Sequence, residues 1–99
     1  MHVITRARLI EFAKKHPDTK TALDTWYRKI KRTSYENLND LHLMFPSADQ
    51  VGKCTVFNVG GNKVRLITVI HYNRHKIYIR HVFTHAEYDL DKWKISCQK

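Results

Sequence analysis

From Gln50 to Ala86 the chain has no aspartate and no glutamate. The same 37 residues hold Lys53, Lys63, Arg65, Arg74, Lys76 and Arg80, together with His71, His75, His81 and His85. A surface built from this stretch offers cations and imidazoles with no carboxylate to compete for them, as a polyanion requires. Other shortages narrow the reading. Two prolines and three glycines in 99 residues leave no long linker, so residues 1–99 are expected to form a single domain, with a frayed tail over about 95–99. No uninterrupted apolar run reaches about 18 residues, which excludes a membrane-spanning helix. The opening Met1-His2-Val3-Ile4-Thr5-Arg6 contains no apolar core of signal-peptide length. There are only two cysteines, Cys54 and Cys97, far apart in sequence. In a cytosolic setting they read as a semi-buried strand thiol and an exposed tail thiol rather than a disulfide.

What is present is a basic chain, with formal net charge +9 and 42% hydrophobic residues. Residues 1–49 carry nine Lys and Arg against six acids, residues 50–86 carry six against none, and residues 87–99 carry three of each. The excess is therefore concentrated in one part of the chain. Basic domains of this kind partner nucleic acid, acidic protein or anionic membrane.

Apolar spacing sets the expected elements. His2 to Thr5 is a short β-branched strand, after which Thr5 caps a helix to about Lys15 carrying Leu9, Ile10, Phe12 and Ala13. His16-Pro17-Asp18 punctuates it, because proline disfavours the α region in the residue before it. A second helix starts at Asp18 or Thr19, with Ala22, Leu23, Trp26, Tyr27 and Ile30 as its stripe. Ser34 to Val51 is less regular, with a short helical turn ending before Pro46. Strands follow over Lys53–Val59, Lys63–Tyr72 and Lys76–Thr84, separated by turns at Gly60-Gly61-Asn62 and Asn73-Arg74-His75. His85 to Trp93 reads as a short helix. The expected fold is α+β in two layers: two N-terminal helices on one face of a small, mostly antiparallel sheet, with a short C-terminal helix. The other sheet face is expected to be open and mainly polar.

Strand alternation assigns the chemistry. Val64, Leu66, Thr68 and Ile70 share one side of their strand, and Arg65, Ile67, Val69 and His71 the other. In the last strand Tyr78, Arg80, Val82 and Thr84 alternate with Ile77, Ile79, His81, Phe83 and His85. Neither strand is cleanly two-faced, but if Arg65 and Arg80 share one open face of neighbouring strands they would form a phosphate clamp, since the planar guanidinium fork matches phosphate oxygens. Spacing alone favours the other reading, two snorkelling surface arginines. The histidines lack Cys-x-x-Cys or His-Glu-x-x-His spacing, so no metal site and no cofactor is expected. A metal-free role as general acid or base near neutral pH fits them better, although His71 and His75 read more simply as strand residues bonded to backbone. Tyr88 lies three residues after His85, where one helical turn would bring them to one face. It either assists proton transfer and stacking or packs the last turn onto the sheet. Metal-free RNA cleavage needs a base for the ribose 2′-OH, cations for the pentavalent phosphorane and an acid for the 5′-oxygen. Arginine, histidine, tyrosine and lysine supply all three.

Gly60-Gly61-Asn62-x-x-Arg65, followed by Arg80-His81-Val82-x-Thr84-His85-Ala86-Glu87-Tyr88-Asp89, resembles the HigB family of bacterial toxins. His2-Val3-Ile4 and the Ala22-Leu23 helix with its basic end resemble it too, so the likeness runs from about residue 2 to 89. The resemblance implies a RelE/ParE-like fold and an mRNA interferase that works in the cytoplasm on transcripts in the translating 70S ribosome. Cleavage through the 2′-OH would leave a 2′,3′-cyclic phosphate and a 5′-OH. A helix-turn-helix antitoxin of HigA type is the implied partner, with operator DNA bound only through the complex. On this reading Arg65 and Arg80 hold the scissile phosphate, His85 leads proton transfer, and His81 and Tyr88 are second candidates. Asn62, Lys63 and Lys76, with Arg28, Lys29, Lys31 and Arg32, would contact RNA. The rival readings are a non-catalytic module for RNA or acidic protein, and a gyrase-inhibiting toxin of the same fold.

Overall fold

The computed structural model describes residues 1–61, 63–89 and 93–97. Strand β1 (His2–Ile4) leads into α1 (Ala7–Lys15), a 3-10 turn (Pro17–Thr19) and α2 (Lys20–Arg32). Then come α3 (Leu38–Met44), β2 (Asp49–Val51), β3 (Cys54–Val59), β4 (Val64–His71), a 3-10 turn (Tyr72–Arg74), β5 (Lys76–Thr84), α4 (His85–Asp89) and α5 (Lys94–Cys97). The sheet order is β1-β5-β4-β3-β2. Among the described residues, only the β1–β5 pair is parallel.

The α+β architecture expected from the sequence is therefore present, with four local differences. First, Thr5 does not cap α1. Its φ of 73° turns the chain sharply, a costly conformation for a β-branched residue. Its backbone carbonyl, not its hydroxyl, accepts from Arg8 N–H at 3.1 Å. Second, β2 lies in the stretch read as irregular. Three residues, two of them polar, give no alternation to detect, and the strand exists because it pairs with β3. At the other end of β3, Gly60 and Gly61 take φ of 64° and 70°, a left-handed conformation that glycine adopts without a Cβ clash.

The helix face of the sheet carries the larger core. Leu9 and Phe12 of α1 and Leu23, Trp26 and Ile30 of α2 pack on Phe57, Val59, Val64, Leu66, Ile77 and Ile79. Phe57 takes the edges of Trp26 and Phe45 with ring centroids 5.3 and 5.2 Å away. Each such contact adds about 0.5–1.5 kcal/mol beyond area burial.

The third and fourth differences concern the opposite face and the tail. That face is not simply open and polar: Cys54, Val56 and Ile67 are buried there beneath Trp93 and Cys97. Cys97 is fully buried and its sulfur is bonded to that of Cys54. The two thiols expected from the sequence are one disulfide. A separation of 43 residues says nothing about distance once β3 and α5 meet, and Lys53 N–H also donates to the Cys97 carbonyl at 2.8 Å. Of the tail expected to fray, residues 95–97 are thus held, while 98 and 99 lie outside the described residues.

Closing a loop of this length restricts the unfolded chain, so reduction should cost about 2–4 kcal/mol of stability. Urea unfolding of the wild type with and without dithiothreitol measures this directly. Identical midpoints would show that the bond contributes nothing.

Candidate functional site

Along β5 the residues keep strict alternation only as far as Ile79. Ile67 of β4 stands opposite His81, but Thr68, the next residue, stands opposite Ile79. Arg80 is the extra residue of a β-bulge, which re-aims the side chains that follow it. Ile77 and Ile79 point into the helix-side core, and after the bulge Val82 does so while Phe83 packs on the tail side. His81 stacks on Phe83 with ring centroids 5.0 Å apart and planes 10° from parallel. A regular strand would have sent Arg80 and His81 to opposite faces. The bulge brings both to one cavity.

That cavity has a volume of about 570 Å³. Arg8 from the first turn of α1, Lys53 from the β2–β3 turn and Arg80 supply its cations. His81, His71 and Tyr78 supply rings, and Val69 and Ile79 line it between them. His71 and Tyr78 meet edge to face at 5.2 Å. No acid lines it. Burial holds the His81 imidazole below its ordinary pKa, and the charges of Arg8 and Arg80 lower it further. At neutral pH His81 is therefore an uncharged base surrounded by cations. Cations around a neutral imidazole have the chemistry to hold a phosphate and to accept a proton beside it.

The other sequence candidates lie elsewhere. Arg65 is buried on the outer face of β4 with its guanidinium carbon 5.2 Å from the Tyr88 ring centroid. Tyr88 in turn stacks on Trp93 at 5.0 Å, and its carbonyl accepts from Trp93 Nε1 at 3.0 Å. It packs against the core beneath the last turn. His85 is exposed on α4, with Nε2 3.5 Å from an Asp89 carboxylate oxygen. Part of the terminal motif is structural. Thr84 N–H donates to Glu87 Oε1 at 2.9 Å and Glu87 N–H donates to Thr84 Oγ1 at 3.3 Å, a capping box that starts α4.

Lys63 sits at the far hairpin, 3.7 Å from Asp18, and Lys76 opens β5 opposite His71. Arg28 lines a groove between α1 and α2, Lys29 borders a small pocket with Trp26 and Phe45, and Lys31 lies over the Tyr27 ring. Arg32 is exposed at the end of α2. Asn62 lies outside the described residues. Among the described residues of the proposed site, then, only Arg80 and His81 converge in the cavity. Arg8, Lys53 and Tyr78 are the members sequence reasoning missed. Lys53 was visible in the acid-free run, but nothing in the sequence connects Arg8 with Arg80.

Residues 19–91 match the HigB toxin family, the RelE-like toxic component of a toxin-antitoxin system. The chain belongs to this family. The mRNA interferase toxin HigB of Escherichia coli strain K12 is 39% identical over 92 residues, covering 90% of this chain and 88% of that protein. The mRNA interferase HigB of Escherichia coli O6:H1 strain CFT073 is 36% identical over 92 residues, with 90% and 89% covered. The family places an antitoxin among the partners of this HigB-family chain.

A proton titration of the histidine ring signals by NMR should find His81 below the ordinary value of about 6.5. Arg8→Ala should move it upward by relieving charge repulsion. Between the lowered value and 6.5 the unfolded chain binds a proton that the folded chain refuses, so stability falls as pH drops through that window. A His81 titrating at or above 6.5 would contradict the assignment.

Proposed function

We propose that this HigB-family toxin is an endoribonuclease that cleaves mRNA by metal-independent attack of the ribose 2′-OH. The observation that carries the proposal is His81 set among Arg8, Lys53 and Arg80 in one cavity, where burial and the two arginines lower its pKa. The relatives' name, mRNA interferase, supports it.

His81 takes the 2′-OH proton as the O2′–P bond forms. Arg80 and Arg8 stabilise the charge that develops on the phosphorane oxygens. The P–O5′ bond then breaks, and the Lys53 ammonium protonates the leaving 5′-oxygen. The products are a 2′,3′-cyclic phosphate and a 5′-OH. Tyr78 gives a base a face on which to stack. Arg65 acts through Tyr88, holding α4 against the sheet end. His85, which the terminal motif singles out, is exposed on α4 outside the cavity and contacts RNA there.

The reading includes cleavage within the translating ribosome in the bacterial cytoplasm, with Lys63, Lys76 and the cations of α2 facing ribosomal RNA. It also includes neutralisation by a helix-turn-helix antitoxin of HigA type, through which operator DNA is bound. No helix among the described residues is long and apolar enough to cross a membrane.

Induction in a host without antitoxin, followed by primer extension on mRNA, tests the proposal. The wild type should create new 5′-ends. His81→Ala should slow cleavage by about 10²–10⁴-fold and Arg80→Ala by about 10²–10³-fold, whereas His85→Ala should change it by less than about tenfold. Full cleavage by a folded His81→Ala variant would remove His81 from the chemistry. DNA damage without RNA ends would point to a gyrase poison, and neither effect to a binding module.

A further inference from the structure

Cys54 and Cys97 are the only cysteines of the chain, and their bond joins β3 to α5. Three residues tie the core around that bond to the cavity of His81. Lys53, next to Cys54, donates its backbone N–H to the Cys97 carbonyl at 2.8 Å and lines the cavity. Val69 packs on the core and also lines the cavity. Phe83 packs on the same core, and the His81 ring is stacked on it at 5.0 Å.

We propose that the Cys54–Cys97 bond is a redox control on this centre: when formed it holds Lys53 and, through Phe83, His81 in place, and its reduction by a cellular dithiol loosens both and slows RNA cleavage. The inference rests on the nuclease reading above and adds the regulation of the same site. Little besides the bond keeps α5 on the sheet. It has four residues, too few to hold a helix in water, and its Ile95 is 68% exposed. With the bond broken, α5 opens at low cost, the Cys97 carbonyl leaves Lys53, and the core under Phe83 loses its cover. A disulfide in a reducing compartment is usually transient and redox-sensing, and the cytoplasm proposed above is such a compartment. Both cysteines are fully buried, so reduction waits on local opening of α5. A thiolate of the dithiol then attacks one sulfur, the S–S bond breaks, and a mixed disulfide forms. The second sulfur of the dithiol displaces the remaining cysteine. Two electrons and two protons pass to the protein, which is left with two thiols, and the reductant departs as its own disulfide.

Single-turnover RNA cleavage by the full chain tests this, first oxidised, then reduced with dithiothreitol, then reoxidised with diamide, at a temperature where circular dichroism shows each form folded. Reduction should slow cleavage by about tenfold or more, since a misplacement of about 1 Å costs up to about 100-fold. Reoxidation should restore the rate. Cys97→Ser should match the reduced form and respond to neither reagent. An NMR titration of the His81 ring gives a readout that needs no RNA. The charged and titratable groups facing that ring are Arg8, Lys53, His71, Tyr78 and Arg80. Reduction should move its pKa upward as water reaches the ring. Equal cleavage and an equal His81 titration in the folded oxidised and reduced chains would overturn the proposal and leave the bond a staple only. If neither form cleaves RNA yet reduction still moves His81, the redox coupling stands and the nuclease reading falls.

Discussion

Between Ile79 and His81, β5 carries one residue more than β4 can pair, and that residue is Arg80. The bulge decides which residues share a face. Ile77 and Ile79 belong to the helix-side core before it, and Val82 belongs there after it. His81 and Phe83 are therefore turned to the opposite face, where they stack. Without the extra residue, Arg80 and His81 would be on opposite sides of the sheet, and no cavity could contain both. The site follows from this register shift combined with two other placements, Arg8 on α1 and Lys53 at the β2–β3 turn.

The face that receives His81 is divided between function and packing. At one end Trp93, Tyr88, Arg65 and the Cys54–Cys97 bond form a covered second core. At the other end lies the cavity lined by Val69, His71, Tyr78 and the cations. Lys53 links the two. It lines the cavity, its backbone is hydrogen-bonded to Cys97, and its neighbour is the bonded Cys54. The tail thus holds the strand end that positions one of the three cations. The terminal motif has a similar double character, since Thr84 and Glu87 close a capping box while His85 stays exposed.

Much of the fold was legible because it rests on local pattern. The Leu23–Trp26–Ile30 stripe, the Gly60-Gly61 turn and the alternation of β4 all read correctly, since helix period, left-handed glycine and strand period are properties of neighbours in sequence. What was illegible depends on partners distant in sequence. Strand β2 exists through its pairing with β3, and Cys97 reaches Cys54 only after the sheet has formed. The Arg80 bulge is a relation between two strands, so a regular alternation was assumed and His81 was assigned to the wrong side. Arg65 and Arg80, joined as a clamp in the sequence reading, stand at different ends of that face: one is buried under Tyr88 and the other lines the cavity. The acid-free run pointed to the right half of the chain, but Arg8 lies outside it.

The central claim is that His81 works as an uncharged base because burial, Arg8 and Arg80 disfavour its proton. The most direct test is the pH dependence of single-turnover RNA cleavage by the wild type and by Arg8→Ala. The account predicts a rising limb governed by a pKa below about 6.5, which moves upward in Arg8→Ala as one positive neighbour is lost. A rising limb at or above that value in the wild type, or one that Arg8→Ala leaves in place, would contradict it.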